Sequence, residues 1–495
     1  MKKEKIKAWF KDKYNLAFVA ILIFAFAIRL YYFFLTKNQP LWWDEAEYML
    51  KAKNIAFHTP DTGWFSLRPI MFSLIAVLFL KIGFGEIGLR FLFMLLSLSS
   101  LILLFYIGKE LANKKIALIA VFLMSVFYLD LFYTNRLLVD MPQVFFVLLG
   151  TLFFIRYFFK NDKKAAYFIL PILFFGSLIR FTVGLMIIVL LFYLFLIEKF
   201  SLFKKKELYV SLIIGILVFS PYLIYAKVNY GNPFHAFIGV ATSERAPQDT
   251  PLNVFLQYVK YFPSYLGGIK SLIFFFFVFG ILFIFFNLFI SYGLISKKEN
   301  LKKFLFLILW LIIPLIYFGF FVNHFEDRYI FIIFPAVFIL IGESLEIFYE
   351  YIKKYNKILG IFLVLGILIF SSYNMLSYSN FIIKAKLTSY DSLKEAGLWI
   401  KENTNKSDII FSSGVPQNTY YSERATYSYP ETEKEFEEKI NELKPRYMVL
   451  SIWEKSPEWA YDWPSKHNET VKLIRAYFLN NEKTKPDTLI YDFIK

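Results

Sequence analysis

Long apolar runs recur through the first 380 residues of this chain, and most are about as long as a helix needs to be to cross a bilayer. Of the 495 residues, 58% are hydrophobic, including 62 Phe and 34 Tyr, which is typical of lipid-facing helices and interfacial aromatic belts. A soluble protein of this length would not be so apolar. The sequence therefore predicts a polytopic α-helical membrane protein.

The basic charge of the chain is better explained by membrane topology than by nucleic acid. The formal net charge is +16, but the lysines cluster in short loops between the apolar runs. We therefore expect membrane lipids, and no nucleic acid, as partners. The chain has no Cys, which excludes disulfides and thiolate metal sites, and its having only four His argues against a zinc centre.

Eleven segments have the length and composition of spanning helices, whereas a twelfth apolar run, 69–84, is short and interrupted by Lys81. The first run lacks a small-residue cleavage site and is interpreted as a retained span. The eleven segments are 15–35, 87–107, 115–133, 141–159, 165–179, 181–198, 208–226, 269–293, 302–322, 328–348 and 358–377.

The distribution of lysines decides between a surface and a spanning position for 69–84. If this run lies on the membrane surface and the lysine-rich N-terminus is cytoplasmic, all five lysine clusters fall in cytoplasmic loops. These clusters are Lys109–Lys115, Lys160–Lys164, Lys199–Lys206, Lys297–Lys303 and Lys353–Lys357. We therefore predict about 11 spans plus outer-face juxtamembrane helices, with the N-terminus cytoplasmic and the C-terminus extracytoplasmic.

This topology brings polar groups from distant parts of the chain to the outer face, where they predict a polar cavity at the membrane boundary. The groups are Asp44, Glu45, Glu47, Arg68, Arg136, Asp140, Arg180, His235, Glu326, Asp327 and Arg328.

The tail changes character after about residue 380 and predicts a small soluble α/β domain. We therefore divide the chain into a transmembrane domain, 1–379, and an extracytoplasmic domain, 380–495. The tail also holds both Asn-x-Ser/Thr sequons, at Asn405 and Asn468, which fits an outward location. Its predicted strands are Ile409–Ser412, Tyr447–Ile452 and Thr488–Phe493, and its predicted helices are Ser392–Glu402, Glu431–Leu443 and Thr470–Asn480.

An acidic and aromatic stretch, Leu41–Tyr48, follows the first span. Its spacing is that of a helix start with Asp44 as N-cap and Glu47 at N3, on an amphipathic helix at the membrane surface. Asp44 is then either only a cap or also a rigidly held catalytic base, and the two roles are compatible.

Two further sites have both a structural and a functional interpretation. Arg136 and Asp140 are four residues apart, which predicts a pair on one helix face, either as an ion pair or as part of a site. Arg180 follows a short apolar run and either reaches lipid phosphates or binds a phosphate-bearing ligand in a cavity. A divalent cation held by Asp44 and Asp140 also remains open.

In their order along the chain, these residues resemble the GT-C superfamily of membrane glycosyltransferases. Within it, they resemble the protein O-mannosyltransferase-like branch (glycosyltransferase family 39-like), which includes the aminoarabinose transferase of lipid A modification. The departure is Arg180, where a Lys is common, which keeps the charge but alters the geometry toward phosphate. The shared landmarks are Trp43–Tyr48, Leu67–Pro69, Arg136–Asp140, Gly176–Thr182, and Asp327–Tyr329 with Pro335.

The resemblance implies an inverting transfer of a sugar from a polyprenyl- or dolichyl-phosphate donor to a hydroxyl of a protein or glycolipid. It requires no nucleotide site, and we expect no cofactor. Asp44 would be the catalytic base with Glu45 as its neighbour. The leaving phosphate would be bound by Arg180 and Arg136, with Arg68 and Arg328 behind them. Acceptor binding or orientation would fall to Asp140, Glu47 and His235.

Three other functions remain open at this stage. A transporter or flippase of lipid-linked glycans would also use intramembrane charges, but here the charges gather at one face rather than at the midplane. An oligosaccharide ligase or polymerase would transfer a whole glycan and would need a large acceptor groove. A degenerate member of the superfamily would only bind glycans.

Overall fold

The computed structural model describes residues 9–242, 250–478 and 485–494. The start of the lysine-rich N-terminus, residues 1–8, lies outside the described residues. Two compact units are present. The membrane unit contains the described residues up to Phe34, then Phe91–Asn135 and Val139–Ile383; the tail unit contains Leu35–Arg90, Arg136–Leu138 and the described residues from Lys384 onward.

In the described part of the chain, nine helices are long and apolar enough to cross a membrane, or ten if a bent pair is counted as one span. The bent pair is Lys114–Ser125 with Tyr128–Thr134, at 55°. The nine are Lys13–Thr36, Gly85–Leu111, Asp140–Lys160, Phe181–Lys204, Lys206–Tyr230, Leu272–Ile290, Glu299–Phe320, Asp327–Lys353 and Lys357–Ala385. The span Asp327–Lys353 opens with the 3-10 helix Asp327–Ile333. The remaining helices before the tail are Trp43–Phe57, Met71–Lys81, Lys163–Ile179, His235–Thr242 and Pro251–Tyr265.

The predicted number of about 11 spans compares with nine or ten apolar helices of spanning length among the described residues. The predicted segment 165–179 forms a helix of 17 residues, Lys163–Ile179, with Pro171 inside it, which is at the short end of the roughly 17–25 residues of a spanning helix. The segment 115–133 is the bent pair. The run 69–84 contains Met71–Lys81, whose 11 residues give a length of about 16 Å. This helix is too short to cross a hydrocarbon core of about 30 Å, as the lysine distribution predicts.

A buried ion pair lies inside the membrane unit. The guanidinium of Arg29 contacts the carboxylate of Asp130, and both side chains are fully buried. Arg29 also donates to the Ser97 hydroxyl, at 2.7 Å, and to the backbone carbonyl of Ser125, at 3.2 Å. Ser125 ends its helix just before the bend, so Arg29 satisfies a carbonyl that the helix leaves open there.

The tail unit is built on a five-stranded mixed sheet with the strand order β2-β1-β3-β5-β4. β1 is parallel to β2 and β3, whereas β5 is antiparallel to β3 and β4. Alternate residues of the strands face two separate cores, one around Phe411 and Met448 and one around Ile410 and Val449. The strands are Ile409–Ser412 (β1), Ala425–Tyr427 (β2), Tyr447–Ser451 (β3), Val471–Tyr477 (β4) and Thr488–Phe493 (β5), and the helices are Asp391–Asn403, Val415–Ser422, Glu433–Leu443 and Glu458–Lys466.

The small α/β fold of the tail is confirmed, but the helix predicted at 470–480 is wrong. Residues Val471–Tyr477 form β4, paired with β5, and residues 479–480 lie outside the described part. The four central residues of β4, from Lys472 to Arg475, are exposed. The strand therefore lacks the buried alternate positions by which a strand is recognised in a sequence.

The segment that follows the first span packs with the tail in this unit. The backbone N–H of Leu41 donates to the hydroxyl of Tyr421, at 2.8 Å, and Lys53 pairs with Glu423, at 2.8 Å. The Gln39 amide donates to the backbone carbonyls of Lys386 and Leu387. The acidic stretch is therefore held by the tail as well as by its own helix.

Candidate active site

The helix Trp43–Phe57, called the acidic helix below, begins two residues earlier than predicted. Its N-cap is Trp42, and its N3 residue is Glu45, whose carboxylate accepts from the backbone N–H of Trp42 at 2.8 Å. The predicted capping box of Asp44 and Glu47 is therefore wrong. Asp44 lies in the first turn instead, where the helix dipole stabilises a carboxylate.

Glu45 is fully buried and joins three segments of the tail unit. Its second oxygen accepts from the backbone N–H of Leu137, at 2.6 Å. The guanidiniums of Arg136 and Arg90 lie 3.6 and 3.9 Å from its carboxylate. Arg136 also stacks on the indole of Trp42, 3.7 Å from the ring centroid. Both oxygens of Glu45 are thus occupied by groups that hold the start of the acidic helix.

Asp44, Glu47 and Arg68 form what we call the Asp44 cluster. Arg68 donates from Nη2 to Asp44, at 2.6 Å, and from Nε to Glu47. Glu47 also accepts from the indole N–H of Trp43, at 2.7 Å. One guanidinium therefore serves two carboxylates. Because the side chain of Asp44 is 21% exposed and that of Glu47 only 5%, a ligand reaches Asp44 more easily.

Electrostatics distinguish the two carboxylates of this cluster further. Burial raises the pKa of Glu47, the charge of Arg68 lowers it, and the charge of Asp44 raises it again. The raised pKa shows that the surroundings disfavour a second buried negative charge beside Asp44.

Glu454, which was not predicted from the sequence, is a further carboxylate on which the charge of Asp44 acts. Its carboxylate accepts from the hydroxyl of Tyr390 and from the amide of Gln417, both at 3.0 Å. Burial raises the pKa of Glu454, its two hydrogen bonds lower it, and the negative charge of Asp44 raises it further. Tyr390 lies between Trp42 and Trp453, at ring distances of 6.1 and 5.1 Å.

A second cluster, in the membrane unit, consists of Asp140, Arg180 and Arg328 and is called the Asp140 cluster. Asp140 opens its helix, whereas Arg180 follows the end of Lys163–Ile179 in extended conformation. Arg180 donates to the buried carboxylate of Asp140, and Arg328 lies 3.8 Å from the other oxygen. Two guanidiniums therefore share one buried carboxylate.

The prediction that Arg136 and Asp140 share a helix face is wrong. One helix ends at Thr134 and the next begins at Asp140, so Arg136 lies outside both and belongs to the tail unit. The spacing rule of four residues applies only within a continuous helix. Arg136 contacts Glu45 and Asp140 contacts Arg180, two pairs between residues far apart in the sequence.

His235 and the side chains that are close enough to share a metal ion lie outside both clusters. His235 begins the helix His235–Thr242, and its ring stacks on Tyr230 at 4.5 Å. Among the described residues, the acid and imidazole side chains close enough to share a metal ion are Glu433, Glu437 and His467, with donor atoms within 4.8 Å of one another. Asp44 and Asp140 instead bind guanidiniums.

Comparisons with known proteins show which family model and which solved structures this chain is similar to. The family model for dolichyl-phosphate-mannose-protein mannosyltransferases matches residues 67–225, about a third of the chain. The structure of ArnT from Cupriavidus metallidurans bound to undecaprenyl phosphate superposes with a TM-score of 0.64, at 11% identity, over 96% of this chain and 97% of that one. The chain has the GT-C fold.

Another GT-C structure is also similar. The archaeal oligosaccharyltransferase AglB from Archaeoglobus fulgidus, in complex with an inhibitory peptide and a dolichol-phosphate, gives a TM-score of 0.60 at 11% identity, over 90% of this chain and 70% of that one. No curated protein sequence matches significantly. The nine apolar helices and these neighbours make the GT-C chain a multi-pass membrane protein.

Proposed function

We propose that this GT-C protein transfers a sugar from a polyprenyl- or dolichyl-phosphate donor to an acceptor hydroxyl, with inversion, on the extracytoplasmic face. The observation that carries the proposal is the opposite charge ratio of its two clusters. Two carboxylates share one guanidinium around Asp44, whereas two guanidiniums share one buried carboxylate around Asp140, where Arg328 also contacts the partly exposed Glu326. The first suits a proton acceptor and the second suits a phosphate.

Asp44 is the base in this reaction. As the acceptor oxygen attacks the anomeric carbon, its proton passes to the carboxylate of Asp44. The bond from the anomeric carbon to the phosphate oxygen breaks, and the lipid phosphate leaves with the electron pair. Arg68 fixes the carboxylate of Asp44 in one orientation, as efficient proton transfer requires.

Arg180 and Arg328 bind the donor phosphate and stabilise the charge that develops as it leaves. Asp140 orients both guanidiniums and balances part of their charge before the lipid binds. Arg136 and Arg68 are already engaged with Glu45, Asp44 and Glu47. We therefore assign them the positioning of the acidic helix rather than phosphate binding.

The identity of the donor is supported by two similar structures. ArnT was solved with undecaprenyl phosphate and AglB with a dolichol-phosphate and a peptide. For the acceptor, we propose a hydroxyl of a protein or of a glycolipid. The five lysine clusters of the sequence support an N-terminus in the cytoplasm and a reaction on the outer face.

The test is transfer of radiolabelled sugar from a panel of polyprenyl-phosphate sugars and lipid-linked oligosaccharides to membrane acceptors. Wild type, Asp44→Asn and the control Asp61→Asn are compared, because Asp61 is a more exposed aspartate that pairs with Lys51 in the same unit. We expect single-sugar transfer that falls about 100- to 10,000-fold in Asp44→Asn and survives in the control. No transfer from any donor would contradict the proposed glycosyltransferase activity. Transfer only of whole oligosaccharides would show that the protein is an oligosaccharide ligase.

A further inference from the structure

A cavity of about 410 Å³ lies in the membrane unit, within the size range of small-molecule sites. Of its eight lining residues, five are aromatic, two are the carboxylates of Glu326 and Asp327, and one is Ser264. No lysine or arginine is among the lining residues that the structure describes. We call it the tyrosine cavity, since Tyr128, Tyr261, Tyr265 and Tyr378 line it.

One polar group of the cavity has no hydrogen-bond partner. The hydroxyl of Tyr265 is buried and makes no hydrogen bond within the described residues. A buried hydroxyl without a partner is costly, and a bound ligand with a hydroxyl of its own would satisfy it. The ring of Tyr265 lies parallel to that of Tyr128, 6.0 Å away.

Asp327 is held in place at the same cavity. Its carboxylate accepts from the hydroxyls of Tyr133 and Tyr128, at 3.2 and 3.3 Å. A carboxylate offers about four acceptor positions, so Asp327 retains capacity for ligand hydroxyls. Aromatic walls with fixed carboxylate, phenol and serine groups suit a sugar ring, which has apolar C–H faces and a rim of hydroxyls. The two carboxylates of the lining disfavour phosphate at this position, although Glu326 also contacts the guanidinium of Arg328, at 3.4 Å.

The cavity lies beside the phosphate ligands. Asp327 and Arg328 are consecutive residues of one 3-10 helix, and Arg328 belongs to the Asp140 cluster. In a lipid-phosphate sugar, one oxygen joins the sugar ring to the phosphorus. The phosphate therefore needs a site with cations, and the ring needs an adjacent site with aromatic rings and hydrogen-bond acceptors.

We propose that the tyrosine cavity is the subsite for the donor sugar, with Tyr265 and Asp327 as hydrogen-bond partners of its hydroxyls. This inference rests on the proposed function, because it assumes that the phosphate of a lipid-linked sugar binds at Arg180 and Arg328. It assigns sugar selectivity to residues that do not bind the phosphate.

The experiment compares equilibrium binding of polyprenyl phosphate with that of polyprenyl-phosphate hexoses and pentoses to the purified protein in detergent. The variant is Tyr265→Phe, which removes only the hydroxyl. The matched control is Tyr193→Phe, because Tyr193 is also buried with a hydroxyl that lacks a partner among the described residues, but it does not line the cavity. Asp327→Asn serves as a second variant.

We expect wild type to bind at least one sugar-bearing lipid more tightly than polyprenyl phosphate. Tyr265→Phe should weaken binding of that lipid by about three- to tenfold and leave polyprenyl phosphate unchanged. Asp327→Asn should act in the same direction, and Tyr193→Phe should change neither ligand. Equal binding of both lipids by wild type, or equal weakening of both by Tyr265→Phe, would overturn the subsite. If selective binding through Tyr265 persists but no transfer occurs, only the proposed enzymatic function fails.

Discussion

The Asp44 and Asp140 clusters use the same residue types in opposite ratios. Around Asp44, one arginine serves two carboxylates, whereas around Asp140 two arginines share one buried carboxylate. Arg328 also contacts Glu326, at 3.4 Å, but that carboxylate is 37% exposed and is screened by solvent. The comparison teaches that the two clusters differ in their ratio of carboxylates to guanidiniums rather than in the presence of an Asp–Arg pair, and the proposed roles of base and phosphate site rest on that ratio.

The clusters also differ in what supports them. The start of the acidic helix has a buried layer beneath it, in which Glu45 joins the helix start to Arg90 and to the segment at Arg136. The Asp140 cluster is instead built at helix ends, since Asp140 is the first residue of one helix and Arg180 follows the last residue of another. Removing the charge of Glu45 should therefore destabilise the first site, whereas removing the charge of Arg180 should impair the second without unfolding it.

The largest effect is expected for Glu45→Gln. The substitution removes the buried negative charge that Arg90 and Arg136 contact, which should cost about 3 kcal/mol or more of stability. The melting midpoint in detergent measures this loss, with Glu395→Gln, on the exposed surface of the tail, as control. A variant that keeps the wild-type midpoint but loses transfer would instead make Glu45 a catalytic residue.

Arg180→Gln should act on the reaction rather than on the fold. Loss of one cation at the leaving phosphate should reduce the rate of transfer about 100- to 1,000-fold, and Arg180→Lys should recover part of it. The control is Arg156→Gln, which removes an arginine that is 54% exposed and paired with Asp162. An equal loss of transfer in the control would mean that the effect comes from removing any arginine near a helix end and is not specific to Arg180.

Arg136→Lys tests whether Arg136 acts as a planar group or only as a charge. Lysine keeps the charge near Glu45 but loses the stacking on Trp42, so we expect a loss of about 1 kcal/mol in stability. Thermal unfolding of wild type, Arg136→Lys and Arg136→Gln separates the two contributions. If lysine is as damaging as glutamine, the stacked geometry carries the whole effect.

The smallest effect is a pH dependence at Glu454. Because its folded-state pKa is raised, mainly by burial, the wild type loses stability as pH rises from the unfolded-state pKa through the folded-state pKa. Glu454→Gln lacks this titration. The melting midpoint of the variant relative to wild type should therefore rise between pH 4 and pH 8, by no more than about 2 °C. A difference that falls with pH would contradict the raised pKa.

The sequence predicts those features that depend on local pattern. The apolar runs, the short helix at Met71–Lys81 and the strands β1 and β5 all follow from composition and periodicity. The bend after Ser125 and the strand β4 do not, because the first lies within an apolar run and the second lacks buried alternation.

The sequence analysis also names the residues of the two clusters but pairs Arg136 and Asp140 incorrectly. Arg136 and Asp140 are only four residues apart in the chain, yet each pairs with a residue at least 40 positions away, Glu45 and Arg180 respectively. The Arg29–Asp130 pair was missed, although a single charge within each of two apolar runs is the signal that marks it. Glu454 gave no such signal, since only the fold brings it into the field of Asp44.

Binding of polyprenyl phosphate to Asp44→Asn and Arg180→Gln, measured beside sugar transfer by the same preparations, tests the division of roles most directly. The proposed division predicts that Arg180→Gln binds the lipid at least about tenfold more weakly. It predicts that Asp44→Asn binds the lipid like wild type but no longer transfers sugar. Equal binding of the lipid by wild type and Arg180→Gln, or a loss of lipid binding in Asp44→Asn, would contradict it.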